Sequence, residues 1–267
     1  MSYKDQQKEL KAPDEFQKLG AEAVPFLEKH GKQLVMGIGA VLAVGLIISI
    51  ATQVSAHNEQ EASREFGNAL RVLDRQVNAN ATADATKPGE DPPFKSETEK
   101  DEAIVKSLTD FRAKRPGTKG AISAALPLAQ ALLRQGKADA ALPLIDEYLA
   151  KADAADPLRP AAYEARGYAL EAQKKLDDAL SAFDQLAREN KTDFMKGMGL
   201  YHRGRILMMK GDTAGAAKTF SDLQGSAPDT AAARLAKERI ASLVAQGVQV
   251  PTPPPAIPTV AAVDAGL

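Results

Sequence analysis

Two stretches decide the fold: GYALEAQKKLDDALSAF, from Gly167 to Phe183, and GRILMMKGDTAGAAKTF, from Gly204 to Phe220. Laid one over the other, Gly167, Ala179 and Phe183 coincide with Gly204, Ala216 and Phe220, all at an offset of 37 residues, and Lys174 coincides with Gly211. Generic amphipathic helices do not repeat identities at one offset, whereas stacked structural repeats do. One repeat earlier, Ala129, Gly136, Ala141 and Ile145 occupy the equivalent places. The small residue of the first helix and the Ala of the second let two backbones approach. The large residue four positions after that Ala (Ile145, Phe183, Phe220) fills the gap to the next pair. One helix pair alone buries only part of its apolar surface, so stacked neighbours must supply the rest.

Outward from these stretches, Ala103 to Ala245 is almost continuous helical pattern, broken at Pro116-Gly117, Gly136, Asp156-Pro157, Asn190, Gly211 and Pro228-Asp229. Helices of ~12–15 residues with short turns predict antiparallel pairs. The composition agrees, with 44% hydrophobic residues, much of it Ala, and only 5% aromatics. Such a chain suits closely packed helices better than a sandwich of strands. The predicted fold class is all-α, a solenoid of about three helical hairpins over residues 102–246. An earlier, degenerate repeat would pair the helix carrying Phe66 and Val77 with Ile104, Leu108 and Phe111.

A different physics governs the amino-terminal part. No Asp, Glu, Lys or Arg occurs from Gln33 to Asn58, and the core of that window is LVMGIGAVLAVGLIISIATQV, Leu34 to Val54. Crossing ~30 Å of hydrocarbon takes about 20 apolar residues in a helix, which satisfies its own backbone in lipid. The expectation is one transmembrane helix over 34–54 after a cytoplasmic tail, 1–33. Val54-Ser55-Ala56 resembles a signal cleavage site, but signal peptides have a short n-region and an apolar core of ~7–15 residues, so an uncleaved anchor is favoured. Lys29 and Lys32 flank the amino end and the first Arg beyond the run is Arg64. That bias predicts a cytoplasmic amino terminus and a repeat domain outside the inner membrane. Gly39 with Ala43, and Gly45 with Ser49, form small-xxx-small pairs suited to close helix packing in a membrane. Residues 55–77 read as a helical stalk or first repeat helix, 78–101 as a mobile Pro- and Asp-rich loop, and 247–267 as a disordered Pro/Ala-rich tail.

The hairpin pattern resembles the tetratricopeptide repeat (TPR) family. Gly167, Ala179 and Phe183 carry the resemblance in one copy, and Gly204, Ala216, Phe220 and Pro228 in the next. The period exceeds the family's 34, and the early aromatic is Tyr163 in one copy but Leu200 in the other. In such a stack the first helix of each pair lines the concave face. The alignment then points Gln130, Glu164, Tyr168, Glu171, Tyr201, Arg205 and Met208 into a partner-binding groove, with Tyr and Arg as anchors and Met as an adaptable contact. The competing reading makes Met208 core and the charges a solvated face.

The order of tail, anchor, linker and few repeats also resembles the bacterial ancillary SecYEG translocon subunit family. FLEKHGKQLVMGIGAVLAVG, Phe26 to Gly45, and GAISAALPLAQALLRQGKADAAL, Gly120 to Leu142, carry that resemblance. It implies translocon components, envelope chaperones or unfolded polypeptides as partners and a role in assisting newly translocated chains. The long loop and Pro-rich tail depart from the family pattern. A scaffold for another envelope complex, in motility, division or cell-wall synthesis, is the alternative.

Catalysis finds little support. The chain has no Cys and only three His, at 30, 57 and 202, dispersed over the predicted architecture. No Walker loop, G-x-S-x-G or H-E-x-x-H is present. No catalytic residues, cofactor or metal are expected, and a net charge of -1 gives no footprint for nucleic acid.

Overall fold

The computed structural model describes residues 15–80, 91–189 and 192–253, with side chains from Val44 onward. Among these residues the chain is all-α. The helices are α1 (Glu15–Asp74), α2 (Glu97–Lys114), α3 (Lys119–Arg134), α4 (Ala138–Lys151), α5 (Arg159–Ala172), α6 (Leu176–Arg188), α7 (Asp193–Met209), α8 (Thr213–Ser226) and α9 (Ala231–Ala245). Contacts divide the chain into two compact units, Met1–Asn58 and Glu59–Leu267.

In the second unit α3/α4, α5/α6 and α7/α8 form the three expected hairpins of a TPR-like solenoid. Local chemistry sets their limits. Thr118 and Thr230 accept hydrogen bonds from Ala121 N and Ala233 N, both at 3.2 Å, and Asp212 accepts from Gly215 N at 2.8 Å, satisfying first-turn donors of α3, α9 and α8. The first helix of each of these three hairpins ends in one repeated turn. Lys137 N bonds Leu132 O, Lys175 N bonds Leu170 O and Asp212 N bonds Leu207 O, each at 2.9 Å. The residue before each of those donors (Gly136, Lys174, Gly211) is left-handed, with φ of 73, 62 and 82°. Glycine fits that conformation without strain, and Lys174 is the one side chain that adopts it here.

The glycine at the repeat position is the structural key. A Cβ on Gly167 would sit 2.4 Å from ring carbons of Phe183, and one on Gly204 would sit 2.4 Å from Phe220. Each phenylalanine thus lies directly on a bare backbone of its own hairpin. Phe183 also reaches the next hairpin, stacking on His202 with centroids 4.8 Å apart. Ala141, Ala179 and Ala216 are fully buried, as the repeat requires. Polar bridges recur with the same period: Gln173 Nε2 donates to Asp139 at 2.9 Å, and Lys210 bonds Asp177, linking the end of one first helix to the start of the preceding second helix.

The repeat unit is longer than the pattern 102–246 suggests. It starts at Glu59, because the last part of α1 is core. Ala62 is fully buried and Phe66 stacks on Phe111 with centroids 5.4 Å apart. Ser107 donates to Ala69 O at 3.1 Å. This is the degenerate hairpin with α2. An ion-pair cluster locks it: Arg115 donates to Glu65 through Nη2 at 2.8 Å and Nε at 3.1 Å and to Glu61 at 2.9 Å, while Lys114 reaches Glu65 at 2.8 Å. Glu59 accepts from the backbone of Lys119 at 3.1 Å, at the first turn of α3.

Two segments read as unstructured are partly ordered. In the loop 78–101, α2 begins at Glu97, where Ser96 accepts from Glu99 N at 3.1 Å and the Glu99 carboxylate accepts from Lys95 N at 2.7 Å. Phe94 is buried under the Arg75 guanidinium, 3.8 Å from its ring centroid, and pairs with the backbone at 76–78. Composition counts the charges here but not the single aromatic that ties the segment down. In the tail 247–267, Gly247 (φ +81°) closes α9 with the same turn as the other first helices, Val248 N bonding Leu243 O at 3.0 Å. Val248 and Val250 then pack on the α7–α9 core, and Ser221 donates to Pro251 O at 2.7 Å. Residues 81–90 and 254–267 of those two segments lie outside the described residues.

In the first unit α1 runs through the apolar segment. Val44, Leu46, Ile47, Ile48, Ile50 and Val54 are each 54–66% exposed. Among the described residues, no helix is long and apolar enough to cross a membrane, and the side chains of 34–43 lie outside that description.

Two measurements test this account. Gly167→Ala or Gly204→Ala forces a methyl into the ring and should destabilise by about 1–3 kcal/mol in urea unfolding; if Phe183→Leu added to Gly167→Ala recovers nothing, the contact is not the cause. Hydrogen bonds from Arg115 and Lys114 hold the Glu65 carboxyl down, from its ordinary 4.5 to about 2. Its contribution is therefore complete above pH 4.5 and fades as pH falls toward 2. The melting temperature of the native chain should fall across that window more steeply than that of E65Q, the two converging at the acid end.

Candidate interaction face on α5 and α7

Side chains of α5 and α7 meet across the boundary between the second and third hairpins. From α5 come Glu164, Tyr168 and Glu171, one helical turn apart, so all three lie on one face. From α7 come His202 and Arg205, spaced three apart. Arg205 grips Glu171 with both guanidinium nitrogens, Nη2 to Oε2 at 2.6 Å. It also lies over the Tyr168 ring, 6.0 Å from the centroid. The Glu171 hydrogen bond raises the Arg205 pKa above its usual range, so the guanidinium is charged at any physiological pH.

His202 is 4% exposed and sits in an aromatic cage. Phe183 stacks on it, and Tyr168 and Tyr201 meet it edge-on at centroid distances of 5.1 and 5.5 Å. Its Nε2 is 3.1 Å from the Tyr168 hydroxyl and 3.3 Å from Glu164 Oε1. Nδ1 is buried without a hydrogen-bond partner. Burial, and then Glu164, push the Tyr168 phenol up to about 12, so it is a neutral hydroxyl at any physiological pH. Tyr168 is nonetheless 40% exposed, and Met209 beside Arg205 is exposed as well. The open surface is therefore an aromatic edge and a thioether on a base of mutually paired charges.

Of the seven residues pointed into the groove, the structure brings together Glu164, Tyr168, Glu171 and Arg205. Tyr201 is not on the open face: at 8% exposure it packs near Phe220, ring centroids 6.0 Å apart. Met208 is partly buried against the α7–α9 core, so the core reading holds for it and Met209 takes the open position. Gln130, on α3, is half-buried. His202 went unread as a site residue because, taken as a metal ligand, it has no companions. Its register was the available signal, three positions before Arg205 and one repeat after the α5 face. Among the described residues no group of three or more His, Asp or Glu could hold a metal ion. Of the small-residue pairs, Gly39 and Ala43 lie outside the described side chains. Gly45 and Ser49 are exposed, and a Cβ on Gly45 would meet nothing within 4 Å.

Residues 126–194 match the tetratricopeptide repeat family. The match runs from mid-α3 to the start of α7 and contains Gly167, Ala179 and Phe183; this segment carries the tetratricopeptide repeat, a scaffold of protein–protein interaction. No curated protein and no solved structure matches the chain.

The pair beneath the open face is testable. Replacing Glu171 by Ala leaves a half-buried guanidinium without its carboxylate and should cost about 1–3 kcal/mol in chemical denaturation. The double variant Glu171→Ala/Arg205→Ala should cost clearly less than the sum of the two singles, and additivity would show the pair to be uncoupled.

Proposed function

We propose that this chain is a non-enzymatic, membrane-anchored TPR protein of the bacterial inner membrane. It binds protein partners through the α5–α7 face, on the periplasmic side, and assists secretion or chaperoning of newly translocated polypeptides. One observation carries the anchoring: Val44, Leu46, Ile47, Ile48, Ile50 and Val54 of α1 are each more than half exposed, and no charged residue lies among them. An uncharged helical segment that exposes this much apolar surface is favoured in an apolar medium. The apolar run and lysine flank in the sequence agree, with lipid around one helix and the amino terminus cytoplasmic. For the partner face, support comes from Tyr168: an exposed aromatic whose hydroxyl and ring are fixed from behind loses little freedom on binding. The translocon assignment draws on the resemblance of 26–45 and 120–142.

A photo-crosslinking residue at Tyr168 or Met209 in living cells should capture translocon components, envelope chaperones or translocating chains, and one at Lys137 should not. Capture of a motility, division or cell-wall complex instead would establish the scaffold alternative. Protease added to intact spheroplasts should degrade the repeats, and full protection would reverse the topology.

A further inference from the structure

The edge of the repeat unit formed by the starts of the first helices carries two exposed apolar side chains, Leu158 before α5 and Phe194 in the first turn of α7, each 53% exposed. Contacts tie this edge together. Glu59, where the unit begins, bonds the backbone of Lys119. Lys119 shares an open cavity of ≈ 310 Å³ with Lys151 and Asp156. Asp156 accepts from Leu158 N at 2.9 Å. Next along, the Tyr163 hydroxyl bonds Glu189 at 3.0 Å, at the end of α6, just before the helix that Phe194 opens.

Chain length then limits where this edge can be. Val54, the last residue of the apolar run, is five residues from Glu59. Five residues reach at most about 18 Å even when fully extended. Whatever angle the apolar segment takes, Glu59 and the Lys119 backbone it holds cannot leave the neighbourhood of the bilayer surface.

We propose that this edge is a second membrane contact, in which Leu158 and Phe194 insert into the lipid headgroup region and Lys119 and Lys151 face lipid phosphates. The proposal rests on the anchor reading above. Asp153 and Asp156 on the same edge accept from Ala155 N and Leu158 N, so they are engaged in shaping the loop. With acids and lysines mixed, insertion of apolar side chains and not net charge provides the attraction.

The chain contains no Trp. A single Trp placed at Leu158, Phe194, Ile48 or Lys137 is therefore its own reporter. Each full-length variant would be reconstituted in phosphatidylcholine–phosphatidylglycerol vesicles whose acyl chains carry bromine near the headgroups. L158W and F194W should be quenched about twofold or more beyond K137W, which sits at the opposite edge, with blue-shifted emission typical of an interfacial Trp. Quenching of I48W with L158W and F194W no different from K137W would overturn the second contact and leave the anchor standing. An unquenched I48W would overturn the anchor, and this proposal with it. Circular dichroism of each variant establishes that the repeats are folded.

Discussion

The contact on which the structure depends is a phenylalanine ring lying on a glycine backbone. In the second hairpin Phe183 rests on Gly167 so closely that no side chain fits between them. That proximity sets the separation of α5 and α6, and its other consequence lies one hairpin away. With one side of its ring against its own hairpin, Phe183 offers the other to His202 and so fixes the next helix pair. A hydrophobic contact inside one repeat becomes the spacer between repeats. In a quasi-one-dimensional stack, stability is the sum of such intrinsic and neighbour terms. Loss of one glycine therefore acts on two terms at once.

The same geometry explains why the face on α5 and α7 looks as it does. His202 is caged because the ring that stacks on it is already placed by Gly167. Once His202 is set, Tyr168 and Glu164 find its Nε2, and Arg205, one turn along, meets Glu171. The acids and the guanidinium that a groove reading assigns to a partner are thus spent on joining two hairpins. Burying such groups without partners would cost several kcal/mol, so their mutual satisfaction is a condition of the fold.

Much of the stack was legible in the sequence because period is a property of the chain itself. The offset between Gly167 and Gly204 located the hairpins, and the alignment of Lys174 with Gly211 located the turn within them. What stayed hidden depended on rotation by a single position or on contacts across repeats. Met208 and Met209 are adjacent and equally apolar; only packing against the α7–α9 core decides which is buried. His202 is an isolated histidine until the stack brings Glu164 and Tyr168 beside it. Composition misjudged the stretch near Phe94 and the start of the tail, because one buried ring or two valines outweigh a polar average. The helical pairing of Phe66 with Phe111 was readable from spacing, but the ion pairs that lock it were not. A carboxylate four residues from another, as Glu61 is from Glu65, announces nothing until Arg115 arrives between them.

The open face that results differs from a charged clamp. Glu164, Glu171 and Arg205 are already engaged, so a partner gains little by offering them charge, since exchanging one ion pair for another returns little net free energy. What the surface still offers is apolar area at Tyr168 and Met209 together with a phenolic hydroxyl. An aromatic held rigid from behind contributes contact area with small entropic loss, while a thioether adapts to side chains of varied shape. Under the proposed partner-binding role, such a surface would favour exposed apolar segments, as an unfolded polypeptide presents, over a charged docking peptide, because the repeats use their charges to hold themselves together.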